Sequence, residues 1–290
     1  MRLCVREKIN VITDETMKKF GLIGHPIAHS LSPALFKAAY DGKYTYDLIE
    51  EADFEKAFER FIQDYHAINV TAPFKELAYA KADIHSPECK GVGAANMLIK
   101  TEDGRILADN SDAMGVSGSV TDGSGENNGA GKTALVVGCG GAAQAAVYAL
   151  CELGYLTVIL NRDDMKAHRV AERFSENPKY DISAGGLDEI GPYFRKASVI
   201  IYTLPVPIPA LKLLNRKDIR GGLFCHSKLI VEANYKDPTF IPDMIGHLKK
   251  INPKLKYVSG KEWLLHQAVG AYIKFTSEVP DARKMREVIV

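Results

Sequence analysis

The stretch from Lys132 to Gly154, "KTALVVGCGGAAQAAVYALCELG", restricts the fold more than any other part of this chain. An apolar run, Ala134 to Val137, meets a glycine turn, and an alanine-rich segment follows at once. Gly138, Gly140 and Ala143 satisfy G-x-G-x-x-[GA]. Small residues at those places permit a tight turn, close approach of the backbone to a pyrophosphate, and close packing of helix on strand. The free N–H groups and partial positive charge of the helix N-terminus then favour phosphate. A glycine turn alone also serves packing. Here a second apolar segment, "YLTVIL", ends about twenty residues later, which completes a βαβ unit and supports dinucleotide binding.

The same alternation runs before and after this unit. "KKFGLIG", "YTYDLIE" and "AINV" read as strands, and "ANMLIK" and "RILADN" as two more around the turn "TEDG". Between them, "LSPALFKAAYD" opens with Ser32 and Pro33, an N-cap followed by proline at the first helical position. "DFEKAFERFIQ" places Phe54, Ala57, Phe58, Phe61 and Ile62 on one helical stripe. Strands alternating with helices predict an α/β fold with mostly parallel sheets covered by helices. "SGSVTDGSGENNGAG" then holds five glycines and almost nothing large and apolar, so it reads as a flexible connection. The expected division is residues 1–116, a linker at 117–131, a Rossmann-type doubly wound dinucleotide-binding domain at 132–259, and C-terminal helices at 260–290. Residues 1–16 read as an extension, because Met17 stands just before the first clear strand.

A formal net charge of +1 provides no global field for nucleic acid or an anionic membrane, so neither is expected as a partner. Five cysteines without CxxC spacing argue for free thiols in a reducing, cytoplasmic setting. Histidines and cysteines form no zinc-type ligand pattern, and no metal is expected. The most apolar run, "ASVIIYTLPVPIPALKLL", carries Pro205, Pro207 and Pro209 and reads as a buried strand leading into a loop.

"NVTAPFK" places Lys75 just past the end of a core strand, the edge where ligands bind in open α/β sheets. An arbitrary lysine there is a solvated one. The surrounding blocks change that. "GHPIAHSLSP" (24–33), "NVTAPFK" (69–75), "GAANML" (93–98), "DNSDAMG" (109–115), the glycine loop and "SGKEWLLHQAVGAY" (259–272) together resemble the shikimate dehydrogenase family, in the family's order from about Gly21 onward. The resemblance implies reversible reduction of 3-dehydroshikimate to shikimate with NADPH. It also implies an N-terminal α/β substrate-binding domain to which the C-terminal helices return. It assigns Lys75 and Asp112 to catalysis. Ser30 and Ser32 match hydroxyls for the substrate carboxylate, Thr71, Asn96 and Gln267 match contacts to ring hydroxyls, and Tyr235 in "VEANYKDP" matches a tyrosine near the substrate. Gly138, Gly140, Gly141, Ala142, Asn161, Arg162, Lys166 and Gly260 are the expected cofactor positions.

The chemistry suits these residue types by itself. An alcohol becomes a ketone by losing a hydride and a proton, so a base must sit within hydrogen-bond reach of the hydroxyl. A lysine tuned by its pocket can serve, with a carboxylate beside it to fix the ammonium. His29 reads as a structural hydrogen-bonding residue and Cys139 as a small packing residue. Two stretches depart from the family pattern. "IIYTLPVP" replaces the usual N-A-T or N-T-T, and "NRDD" replaces N-R-T. Arg162 and Lys166 could hold the 2′-phosphate of NADP, while Asp163 and Asp164 oppose it. NADP is therefore the expected cofactor, with NAD as the alternative. The rival functions are a quinate/shikimate dehydrogenase using NAD, a catalytically silent sugar-acid-binding homologue, and a folate-type methylene dehydrogenase. Tandem Ser30 and Ser32 suit a small carboxylate and disfavour the last. A monomer or homodimer is expected.

Overall fold

The computed structural model describes residues 18–289. The proposed extension, residues 1–16, lies outside them. The first series is β1 (Lys19–Gly24), α1 (Ser32–Ala39), β2 (Thr45–Glu50), α2 (Phe54–Asp64), β3 (Ala67–Val70), α3 (Lys75–Lys81), β4 (Ile84–His85), α4 (Pro87–Val92), β5 (Met97–Lys100) and β6 (Ile106–Asp109). Helix α5 (Asp112–Ser124) leads into the second. That series is β7 (Thr133–Val137), α6 (Gly141–Glu152), β8 (Leu156–Asn161), α7 (Asp164–Ser175), β9 (Ile182–Gly186), α8 (Ile190–Lys196), β10 (Val199–Tyr202), α9 (Arg216–Arg220), β11 (Lys228–Glu232), α10 (Pro242–Ile251) and β12 (Leu255–Val258). Two helices follow, α11 (Gly260–Thr276) and α12 (Ala282–Ile289).

The first sheet has the order β2-β1-β3-β5-β6-β4. It is parallel from β2 to β3, while β5 runs antiparallel to both β3 and β6. The hairpin β5–β6 turns at "TEDG", as its turn residues predict. The second sheet, β12-β11-β10-β7-β8-β9, is parallel throughout. The order reverses at β7, whose two neighbours are reached by separate crossovers, as in a doubly wound dinucleotide-binding sheet. Its strands β7 and β10 are buried along nearly their whole length, so they read as continuous apolar runs rather than alternating ones.

Helix α2 starts where Asp53 accepts hydrogen bonds from the N–H groups of Glu55 (2.9 Å) and Lys56 (3.4 Å). It buries Phe54, Ala57, Phe58 and Phe61. Ile62, expected on the same stripe, is 41% exposed because it falls on the margin of the buried face. Ser32 does not cap α1. It is the first helical residue, Leu31 holds the cap position, and no side chain makes a cap bond there.

The stretch expected to be a flexible connection is helical through Ser124. Its glycines are contact points. A Cβ on Gly115 would lie 2.5 Å from Trp263, one on Gly118 2.6 Å from His266, and one on Gly123 2.8 Å from Leu229. Bare backbone lets α5 lie against α11 and β11, and the helix ends at Gly125 with φ of 79°. Helix α11 is buried on more than one side. Trp263 joins the core around α5 and α6, while Leu265, Ala268, Ala271, Tyr272 and Phe275 join the core around β1 and α1. Ala271, Tyr272 and Phe275 thus bind the C-terminal helices to the first sheet. Among the described residues no helix is long and apolar enough to cross a membrane.

Candidate active site

Strand β3 ends at Val70, and the chain turns so that Lys75 becomes the first residue of α3. The turn is held by Thr71 N–H donating to Ile23 O (3.0 Å) and Phe74 N–H donating to Thr71 O (3.0 Å). Buried Phe74 packs against Phe54 and anchors it. Beyond β6, two strands along the same sheet, Asp112 opens α5. The two side chains meet: Lys75 Nζ lies 2.5 Å from Asp112 Oδ2, with Asp112 almost wholly buried and Lys75 about one quarter exposed at 24%. The second carboxylate oxygen of Asp112 accepts from Asn96 Nδ2 at 2.9 Å. Asn96 is itself fixed, because its Oδ1 accepts the N–H of Ser111 at 2.8 Å. Asp112 is thereby held on both oxygens, while the Lys75 ammonium keeps donors free toward the open side.

That side is a cavity of about 440 Å³ between the two sheets. Ser30, Ser32, Thr71, Lys75, Asn96, Asp112, Tyr235, Gln267 and Gly260 all line it. Ser30 Oγ accepts the N–H of Ser32 (3.2 Å) and donates to Ser32 Oγ (3.1 Å), so the two hydroxyls are paired at the start of α1. Ser32 makes no cap bond, and besides Ser30 its hydroxyl is within hydrogen-bond reach of the Tyr46 and Tyr272 phenols at the cavity wall. Tyr272 OH donates to Ser32 O at 3.2 Å, and burial holds its phenol well above the usual range. Gln267 reaches the cavity from α11, and half-buried Tyr235 from the loop after β11. Burial raises the Tyr235 phenol, keeping it a neutral donor.

The cofactor positions form a second group along the same sheet edges. Gly138 has φ of 119°, and a Cβ there would meet Thr203 Oγ1 at 2.3 Å, so only glycine fits. Gly140 precedes α6 and Gly141 begins it. A Cβ on either would face open space, and no side chain caps the helix. Those free N–H groups beside bare backbone fit a pyrophosphate. Ala142, one residue on, lines the cavity and joins the two groups. At the end of β8, Asn161 Nδ2 donates to Asp163 O at 3.1 Å. Arg162 and Lys166 are exposed and make no ion pair among the described residues. Charge from this loop reaches the glycine turn: burial raises the Cys139 thiol to about 11, Lys166 opposes that rise, and Asp163 adds to it. Cys139 is a buried packing residue.

His29, expected to be a structural hydrogen-bonding residue, is exposed at the cavity mouth and makes no hydrogen bond among the described residues. His25 and His29 stand four residues apart, but their segment is not helical. Among the described residues no three ligand-type side chains gather as a metal site would need. Asn69 was missed. It lines the cavity, its Oδ1 accepts from Tyr46 OH at 2.8 Å, and its Nδ2 faces Asn96 O at 3.4 Å. An asparagine inside the otherwise apolar strand "AINV" is the signal that could have found it. The stretch "IIYTLPVP" buries Tyr202 against Phe240, ring centroids 5.4 Å apart, and brings Thr203 rather than an asparagine against the glycine turn.

Comparison with known proteins adds the following. Residues 22–98 match the shikimate dehydrogenase substrate binding domain, and residues 124–219 match the shikimate / quinate 5-dehydrogenase family. A shikimate dehydrogenase (NADP(+)) from Bartonella tribocorum is 32% identical over 277 residues, covering 91% of this chain and 90% of that protein. A pentafunctional AROM polypeptide from Kluyveromyces lactis is 28% identical over 282 residues, and the chain spans only 18% of its length. The crystal structure of shikimate 5-dehydrogenase from Thermus thermophilus in complex with NADP(H) and shikimate superposes with a TM-score of 0.74 at 28% identity, covering 94% of this chain and 98% of that one.

Proposed function

The chain belongs to the shikimate dehydrogenase family, and from that membership we propose that it catalyses the reversible NADPH-dependent reduction of 3-dehydroshikimate to shikimate, a step of aromatic amino acid biosynthesis. The observation that carries the reading is the Lys75–Asp112 pair, set in a cavity that also holds paired serine hydroxyls and meets the start of α6. In the reductive direction the Lys75 ammonium, held by Asp112, donates a proton to the oxygen that becomes the hydroxyl, leaving a neutral amine. In the oxidative direction that neutral amine takes the hydroxyl proton as the carbonyl forms and becomes the ammonium paired to Asp112. Bound NADP⁺ supplies the acceptor for the hydride. Asn96 keeps Asp112 aimed at Lys75, so the pair needs no reorganisation during the step. Ser30 and Ser32 take the carboxylate. Thr71, Asn96 and Gln267 take the ring hydroxyls, and Tyr235 closes that side. Gly138, Gly140, Gly141, Ala142 and Gly260 accommodate the dinucleotide, with Asn161, Arg162 and Lys166 at its 2′-phosphate. We read the enzyme as cytoplasmic, which the free cysteines among the described residues support, three of the four being buried, and as a monomer or homodimer.

The pair is intact, which weighs against a catalytically silent sensor. Steady-state oxidation of shikimate with NADP⁺ tests the reading. Lys75→Ala and Asp112→Ala should each lower kcat by roughly 10²- to 10⁴-fold, the usual worth of a positioned acid–base group. The double variant should be little worse than the poorer single one, because the two act as a unit. Near-normal turnover in Lys75→Ala would sink the mechanism. Faster turnover of quinate with NAD by the wild type would move the protein to the quinate branch.

A further inference from the structure

Lys274 lies on α11, seven residues beyond Gln267, which is two helical turns and the same side of the helix. Its ammonium makes an ion pair with Asp109 Oδ2. Asp109 is the last residue of β6 and is buried. Its other oxygen accepts from Ser86 Oγ at 2.6 Å and from the Asn110 N–H at 2.7 Å. Among the described residues Lys274 is the sole cation paired with that buried carboxylate. Three residues further along the same loop stands Asp112. The backbone carbonyl of Asp109 also accepts the N–H of Asn96 at 3.1 Å, and Asn96 holds Asp112. One set of contacts therefore runs from α11 through Asp109 to Asn96, which fixes Asp112 of the reactive pair.

Resting on the functional reading above, we propose that Lys274 is a positioning residue: its ion pair with Asp109 sets where α11, and hence Gln267, sits against Lys75 and Asp112. The strand end and the helix come from distant parts of the chain. Other polar contacts hold α11 elsewhere, Tyr272 OH to Ser32 O at 3.2 Å, Tyr40 OH to Thr276 Oγ1 at 2.8 Å and His266 Nε2 to Asp122 Oδ2 at 3.2 Å, but none of them joins it to the end of β6. There apolar packing alone would remain, and apolar contact is non-directional. A charge pair satisfied by two further donors admits one arrangement.

The test compares wild type, Lys274→Met, and Asp109→Asn combined with Lys274→Met. The single variant strands a buried carboxylate and should melt earlier. The double variant removes that charge and leaves an acceptor for Ser86 and Asn110, so its melting temperature should return toward wild type. Its kcat should nevertheless stay about 10- to 100-fold below wild type, the scale of loss that a displacement of about 1 Å causes. KM for NADP⁺ should not change. Acrylamide quenching of Trp263, the chain's single tryptophan, should rise in the double variant, because that side chain sits on α11 against α5. Wild-type kcat and quenching in a double variant of restored melting temperature would reduce the pair to a structural contact and overturn the proposal. A wild type that does not oxidise shikimate would instead refute the functional reading, and the quenching comparison would still decide whether the pair seats α11.

Discussion

Asp163 opens α7 with its own side chain, Oδ1 accepting the N–H of Lys166 at 3.0 Å. A carboxylate used as an N-cap is turned toward the helix it starts. One oxygen of Asp163 is thereby committed to α7, which turns part of the opposing charge in "NRDD" away from Arg162 and Lys166, both exposed. Threonine caps nearly as well as aspartate. Asp163→Thr should therefore leave melting unchanged and raise the ratio of kcat/KM for NADP over NAD. Asp163→Ala should cost about 1 kcal/mol of stability through the lost cap. Arg162→Ala should lower kcat/KM for NADP about tenfold and barely alter NAD, since an exposed charge-assisted contact falls at the low end of its range. Measuring both cofactors at one ionic strength decides. No change for NADP in Arg162→Ala would remove this arginine from the site.

Between elements, α5 and α11 cross where Gly115 faces the Trp263 ring at 2.5 Å and the Trp263 carbonyl at 2.9 Å from a would-be Cβ. Alanine gains up to about 1 kcal/mol over glycine within a helix. Overpacking a tight contact costs about 1–3 kcal/mol. The second effect should win here, because a backbone carbonyl cannot rotate away as a flexible side chain can. Gly115→Ala should lower the melting temperature and weaken substrate binding, since Trp263 lines the cavity. Unchanged melting would show that α11 can slide. The same crossing shows where sequence reading stopped. Short, mostly apolar runs make β1, β2, β3, β7 and β8 legible, and turn residues locate the β5–β6 hairpin. Glycine richness in α5 reads as freedom, because composition does not distinguish a glycine that bends the chain from one that admits a neighbour. Lys75 and Asp112 were legible through their blocks. The partnership of Lys274 with Asp109 joins residues 165 positions apart, and no local pattern announces it.

Across the molecule, the helices over the two sheets also meet, α4 of the first against α6 and α7 of the second. Arg173 of α7 donates to Val92 O (3.2 Å) and to Gln144 Oε1 (2.7 Å), and a Cβ on Gly91 would lie 2.3 Å from Tyr148. Arg173→Met removes both donors at some distance from the chemistry. It should lower kcat/KM for shikimate and for NADP⁺ by one common factor of roughly 5–30, equivalent to 1–2 kcal/mol lost from the arrangement that holds both ligands together. A loss for one ligand alone would show that the contact shapes only that ligand's site.

The return of α11 and α12 to the first sheet also bears on how the chain is made. On the ribosome, residues emerge in order, and domains usually complete N-terminal first. Here the strands β1 to β6 leave the tunnel early, yet the core over β1 and α1 still lacks Tyr272, Phe275, Met285 and Ile289. The β7–β12 sheet is contiguous and can finish before them. The nascent first sheet must therefore wait with an apolar face bare, and the sheet translated before β7–β12 is completed after it.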